Sequence, residues 1–219
     1  MAAGAGKPGR LKAAPETLPL FPLTGALLLP GGQLPLNIFE PRYLAMVDAA
    51  LAGDRLIGMI QPIEETDSGR PELYRAGCAG RITSFAESGD GRYLINLTGT
   101  RRFALAEELA SDTAYRLARP DWDAFAIDGQ GDPTEDEVDR EALLEALQEY
   151  LAAENLHIEW DKAAEASPQA LVVSLAMGCP FRPNEKQALL EAKTLAEQAE
   201  CLMALMALAG GDDNGAPLQ

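Results

Sequence analysis

The segment FPLTGALLLPGGQLPLNIFEPRY, from Phe21 to Tyr43, is apolar enough for a buried helix, yet Pro22, Pro30, Pro35 and Pro41 interrupt it. A proline inside a helix removes a hydrogen bond and costs about 3 kcal/mol, so one continuous helix is excluded. The spacing instead separates short apolar runs, as in strands joined by turns, with prolines at ends, edges and bulges where no ladder donor is needed. Pro41 differs from the others. It suits the first turn of a helix, and Leu44, Val47, Asp48 and Leu51 follow at i, i+3, i+4 and i+7. Gly53 is placed to close that helix in a left-handed conformation. The segment therefore reads as strand, turn, strand and then helix.

The same short-run pattern extends on both sides, from LPLFPL at Leu18 to AYRLARPDW ending at Trp122. Between them lie RLIGMIQP, LYRAGCAGRITSFAE, RYLINLTG and RRFALAEEL, each of strand length and bounded by turn residues. The turn SGDG, Ser88 to Gly91, predicts a tight hairpin with glycine at a positive φ. Alternation after it places Tyr93, Ile95 and Leu97 on one face and Leu94, Asn96 and Thr98 on the other.

Both periods vanish in DWDAFAIDGQGDP, so residues 123–133 read as a linker loop. Beyond it the pattern is helical. Thr134 and Glu137 form a capping box ahead of Val138, Leu144, Leu147 and Leu151. Ser167 and Pro168 open a second helix with Leu171, Val172 and Leu175, stopped by Gly178 and Pro180. Pro183 begins a third with Ala188, Leu189 and Leu190. Thr194 and Glu197 cap a fourth that carries Ala199, Leu202, Met206 and Ala209. The expected organisation is a tail over 1–16, a β unit over 17–122, the linker, a helical unit over 134–209 and a tail over 210–219. The tails are rich in Gly, Ala and Pro and read as flexible or disordered.

The 219-residue chain is 47% hydrophobic, with a formal net charge of -16. That charge repels phosphate backbones and anionic lipid, so neither nucleic acid nor membrane is an expected partner. Lys7, Arg10 and Lys12 before an uncharged run could open a signal peptide or an anchor, but Pro19, Pro22, Pro30 and Pro35 break the required helix. A cytoplasmic protein is the expectation. Cys78, Cys179 and Cys201 are odd in number and widely spaced, which suits reduced thiols rather than a disulfide framework. A zinc site is not expected either, with His157 the only histidine and no C-x-x-C.

Catalytic patterns are sparse. The sequence has neither G-x-x-x-x-G-K-[ST] nor G-x-S-x-G, and the glycines of GCAGR lack P-loop spacing. A Ser-Lys dyad could use Ser174 and Lys186, but Ser174 lies in an apolar helix where its hydroxyl more readily bonds a carbonyl one turn back. His157 reads as a surface or helix-end residue. The acids of Glu65–Asp67 and Thr134–Glu141 read as solvated side chains, and DGQGDP lacks the distal glutamate of a calcium loop. Met203 and Met206 read as helix core. No catalytic residue, metal or cofactor is expected.

One resemblance is specific. LPLFPL, LLLPGGQLPLNIFEPRYLAMVDAAL, DRLIGMIQP, LYRAGCAGRITSF, YLINLTGTRRF and SLAMGCPFRPNEKQALLEA together resemble the amino-terminal substrate-binding domain of the ATP-dependent protease Lon, and still more the free-standing bacterial proteins made of that domain alone. It covers about Leu18 to Ala209. It implies an α+β fold: a PUA-like pseudo-barrel of about six strands with one inserted helix, then a C-terminal helical bundle. It also implies recognition of polypeptide. The Walker motifs and the Ser-Lys protease domain of full-length Lon have no counterpart here, so the expectation is a non-enzyme.

The signature block carries Asn37, Phe39, Glu40, Pro41, Arg42 and Tyr43. Asn37, Glu40 and Pro41 are expected to be structural, with Glu40 and Arg42 fixing the strand-to-helix corner by pairing with backbone or with each other. Phe21, Leu34, Phe39, Arg42 and Tyr43 are the candidate binding residues. The leading expectation is a module that binds unfolded or exposed apolar segments in protein quality control, by strand addition to an open barrel edge with side chains near Phe21, Leu34 and Phe39 filling pockets. The alternatives are an adaptor for one dedicated folded partner, such as a protease, and a hydrolase using Ser174 or His157.

Overall fold

Two long strands organise the first half of the protein. In a computed structural model that describes residues 14–63, 70–130, 132–154, 163 and 165–211, β4 (Leu73–Glu87) and β5 (Tyr93–Leu109) form an antiparallel hairpin. Its turn is SGDG, where Gly91 has φ 78° and Ser88 N donates to Arg92 O at 2.8 Å. The runs RYLINLTG and RRFALAEEL are thus one strand, long enough to change partners along its length. Its first half pairs with β2 (Gln33–Ile38), from Ile38 opposite Tyr93 to Gln33 opposite Thr98. Its second half pairs with β6 (Arg116–Asp121).

That change of partner closes the sheet. The strand order is β2-β5-β4-β3-β1-β6, with β6 returning to β5, and only β1 (Leu18–Pro22) and β3 (Leu56–Pro62) run parallel. β2 hangs outside the closed part, with one paired side and one open side among the described residues. Inside the closure Leu18, Leu20, Ile60, Phe103 and Ala118 form a small core. The glycines of GCAGR serve that packing, for a Cβ at Gly77 would stand 2.6 Å from the Phe103 ring.

A larger core joins the sheet to the helices. Leu28, Val47 and Leu97 share it with Leu143, Val172, Leu189 and Leu202. The longer helices among the described residues are α1 (Pro41–Ala52), α2 (Arg140–Ala153), α3 (Pro168–Gly178), α4 (Pro183–Glu191) and α5 (Leu195–Gly211), with α5 packed against α2, α3 and α4. Two polar ties cross the junction. Gln61 accepts from Gly25 N and donates to Pro183 O and Gln187 Oε1, at 3.0, 3.0 and 3.1 Å. Arg102 is held by Asp128 and donates to carbonyls at the end of α4.

Several local expectations shift. Residues 123–133 are not a simple linker: Asp123–Gly129 coil into 3-10 turns, Phe125 is buried and Asp128 enters the core as a charge. Thr134 and Glu137 do not start α2. A 3-10 turn over Glu135–Glu137 intervenes and Asp139 caps the helix, accepting from Ala142 N at 3.0 Å, while Thr134 Oγ1 accepts from Ala196 N. In α1 the buried stripe is Tyr43, Met46, Val47 and Ala50, one residue off the expected register, because the chain enters the helix with Tyr43 already facing Phe21. Gly53 has φ -113° and is not left-handed; Arg55, at φ 60°, makes the turn instead. In α4 Gln187 rather than Ala188 is buried, drawn in by its bonds to Gln61 and Ala76 O.

Of the expected N-terminal tail, residues 1–13 lie outside the described residues, and Pro15 is tied down by Trp122 Nε1 donating to its carbonyl at 3.0 Å. α5 runs on to Gly211, and residues 212–219 lie outside the description. So do His157 and Glu65–Asp67. Among the described residues no helix is long and apolar enough to cross a membrane.

Candidate functional site

The turn before β2 and one face of α3 enclose a groove of about 660 Å³. Each wall follows from local sequence. Gly31, at φ 83°, turns the chain after the buried run Leu27–Leu29, and Gly99 O accepts from Gly31 N at 2.9 Å. Ser167 caps α3 by accepting from Ala170 N at 3.2 Å, and Pro168 occupies its first turn. Leu171, Val172, Leu175 and Ala176 bury one side of α3, and Gln169, Ser174, Met177 and the largely buried Val173 line the groove. Met177 rests on the turn: a Cβ at Gly32 would lie 2.2 Å from its sulfur.

Among the described residues that line this groove none is charged, in a chain of which 24% is charged. The wall is Leu34, Pro35, Val173 and Met177, with amide and hydroxyl groups from Gln33, Gln169 and Ser174. Such a surface favours neutral, apolar side chains and offers a few polar groups to backbone. Past Pro30, Gln169 and Val173 it meets a second cavity of about 190 Å³ that holds Arg102, Asp128 and Asp132. Burial would raise the Asp132 carboxyl, but hydrogen bonds from Thr134 and from Leu195 N outweigh it and hold the group below its ordinary value.

The candidate binding residues do not converge. Leu34 lines the groove. Phe39 is 62% exposed and lies under the Arg92 guanidinium, 5.8 Å from its ring centre. Phe21 and Tyr43 are core residues instead of surface contacts, 5% and 7% exposed, with ring centres 4.3 Å apart. Glu40 and Arg42 pair with each other at 2.8 Å in a half-exposed bridge worth little to stability. Asn37 is exposed on β2, and Pro41 opens α1. Of the α3 residues that form the far wall only Ser174 was singled out, and as a hydrolase candidate; the others were missed, since their helical spacing reads equally well as packing.

Arg42 and Tyr43 border a different cleft, about 180 Å³, with Tyr115 and Arg116. There Arg116 Nε donates to Glu108 at 2.8 Å. Those bonds hold the Glu108 carboxyl below its ordinary 4.5, against a smaller upward push from burial. A carboxylate depressed on folding contributes stability above its unfolded value, and that contribution fades as pH falls through the folded one. Glu108→Gln is therefore expected to lose less stability than the parent when pH drops from about 5 to about 3, as read by urea unfolding at each pH. Equal losses would show that Glu108 contributes nothing to acid sensitivity.

The hydrolase candidates are apart from one another in role. Lys186 Nζ donates to Gly25 O at 3.0 Å, tying α4 to the loop after β1, whereas Ser174 is exposed in the groove. All three cysteines are free; burial pushes Cys179 up to about 11 and Cys78 higher still, which keeps both as unreactive thiols at neutral pH. Among the described residues no group of three or more metal-ligating side chains occurs.

Comparison with known proteins bears on this architecture as a whole. A family model described as the ATP-dependent protease La (LON) substrate-binding domain matches residues 17–207. Lon protease 2 of Myxococcus xanthus is 30% identical over 203 residues, covering 88% of this chain and 24% of that protein. Lon protease of Anaeromyxobacter dehalogenans is 27% identical over 202 residues, covering 88% and 23%. The chain thus spans about a quarter of the length of these relatives. Among solved structures, the N-terminal domain of Mycobacterium avium complex Lon protease superposes with a TM-score of 0.61 at 18% identity, over 87% of this chain and 98% of that one. The Lon N-terminal domain protein from Xanthomonas campestris gives 0.57 at 24%, over 86% and 97%. The six-stranded mixed sheet and its helices are therefore the fold of Lon N-terminal domains, and this chain belongs to the Lon substrate-binding domain family.

Proposed function

We propose that this protein is a non-catalytic module that captures polypeptides with exposed apolar segments, in the service of protein quality control, and that the groove between β2 and α3 is its docking site. The observation that carries this reading is that the described lining of that groove is uncharged in a strongly acidic protein. A neutral apolar segment loses little on entering it, whereas a charged one gives up hydration with no counter-charge to meet it. Family membership supports a substrate-binding role. The reading takes the closed sheet as PUA-like and the setting as cytoplasmic, which the three free thiols suit. It needs no metal, nucleotide or nucleic acid.

Fluorescence anisotropy of a labelled, permanently unfolded polypeptide, titrated without nucleotide, tests it. Saturable binding is expected, and a flat titration would overturn it. Ser174 is exposed in the groove wall, so Ser174→Glu changes the lining and leaves the core intact. It is expected to weaken binding by about tenfold or more, corresponding to a penalty of about 1.4 kcal/mol or more for a charge brought against apolar ligand. Ser174→Ala is expected to bind as the parent does. A dedicated folded partner remains the second reading, favoured by the net charge of -16: a basic protein bound with strong salt dependence, and no binding of unfolded chains, would select it.

A further inference from the structure

The open side of β2 is where an extended polypeptide could most simply join the sheet as an extra strand. What that edge offers is set by the hydrogen-bond phase. Gly99 N donates to Gly32 O at 2.8 Å and Gly99 O accepts from Gly31 N, so the Gly32 carbonyl faces β5 just ahead of the β2–β5 ladder. Counting on by two, Leu34, Leu36 and Ile38 bond toward β5, and the backbone groups of Gln33, Pro35 and Asn37 face outward. Among the described residues no backbone hydrogen bond reaches them from another element. Pro35 has no N–H, and its ring stands where the central donor of the edge would be. The same residue lines the uncharged groove.

We infer that Pro35 is a specificity-determining residue: it bars polypeptides from adding to β2 as a strand, and so leaves recognition to apolar side chains entering the groove. Strand addition uses backbone that every sequence possesses, and a proline on an edge strand is a means of refusing it. With the donor missing at the middle position, an incoming strand would leave a carbonyl facing the proline ring, between the rungs at Gln33 and Asn37. Side-chain recognition suffers no such loss. The inference rests on the groove being the polypeptide site and adds how that site discriminates. It replaces strand addition, the expectation drawn from the sequence, with docking beside a blocked edge.

Pro35→Val restores the donor with a residue suited to strands. The test compares parent and variant in binding two unfolded polypeptides of equal length, one with apolar segments and one uncharged and rich in Ser and Thr, and in sedimentation velocity without ligand. The parent is expected to bind the first and ignore the second. Pro35→Val is expected to gain about threefold to tenfold for the second, the worth of one backbone hydrogen bond, and to self-associate through the completed edge. Adding Asn37→Pro, which removes the next outward donor, is expected to cancel both gains. Pro35→Ala serves if the valine variant fails to fold. A variant that keeps the parent's discrimination and its association state overturns the inference. If the parent binds neither polypeptide, the proposed function fails, and sedimentation still decides whether Pro35 guards the edge.

Discussion

Replacing Gly99 by alanine is expected to destabilise the protein by about 3 kcal/mol and to lower its melting temperature by about 6–12 °C. An added Cβ would stand 2.0 Å from Leu29 O and 2.8 Å from Leu29 C, both backbone atoms. They have nowhere to go. Leu29 is fully buried and its carbonyl accepts from Gly32 N at 2.9 Å, while Gly99 exchanges bonds with Gly31 N and Gly32 O. Relief of the clash must therefore pull the turn of residues 29–32 off β5. Because that turn is one wall of the groove, polypeptide binding is expected to fall together with stability. Thermal unfolding followed by circular dichroism reads the first effect and anisotropy the second. A melting temperature within about 2 °C of the parent's would mean that the turn moves freely, contrary to its packing.

Asp128→Ala is expected to cost about 3–5 kcal/mol, because it strands a buried cation. The side chains of Arg102 and Asp128 are 3% and 5% exposed. Asp128 accepts from Arg102 N at 2.7 Å and from Nη2 at 2.6 Å, and the guanidinium donates onward to Leu190, Ala192 and Lys193 carbonyls. Phe125 lies beneath, 4.7 Å from the guanidinium carbon. One ion pair thus joins β5, the 3-10 segment and the end of α4. Replacing both partners, as Arg102→Met with Asp128→Leu, removes the stranded charge and is expected to cost less than Asp128→Ala alone, although the α4 carbonyls lose their donor. A double-mutant cycle by urea unfolding measures the coupling. A cost below about 1 kcal/mol for Asp128→Ala would show that water reaches the site after all.

These two sites were not equally legible in the chain. Arg102 sits in a strand-like run and Asp128 in an acidic, glycine-containing stretch that has the composition of a surface loop. Nothing in either neighbourhood signals a partner 26 residues away. The hairpin at Ser88–Gly91 was legible, because turn chemistry and alternation are properties of adjacent residues. The N-cap of α3 at Ser167 and Pro168 was legible for the same reason, whereas that of α2 was misplaced, since Thr134 has the right chemistry for a cap but spends its hydroxyl on the start of α5. The site divided along the same line. Leu34 could be singled out within the signature block, but its opposite wall comes from α3, more than 130 residues along the chain.

By itself, then, the sequence determined the succession of strands and helices, the hairpin, the interruption of the first apolar segment by prolines and the family resemblance. All of these depend on residues close together in the chain, where steric limits on backbone angles and the spacing of apolar side chains act directly. Only the tertiary structure decided that β5 changes partners to close the sheet, that β2 keeps an open side among the described residues, that Phe21 and Tyr43 are core, and that Pro35 faces outward beside a groove whose described lining is uncharged. Those outcomes depend on register, on which side of a strand its donors fall, and on close packing between distant segments. One residue of slip would reverse each of them.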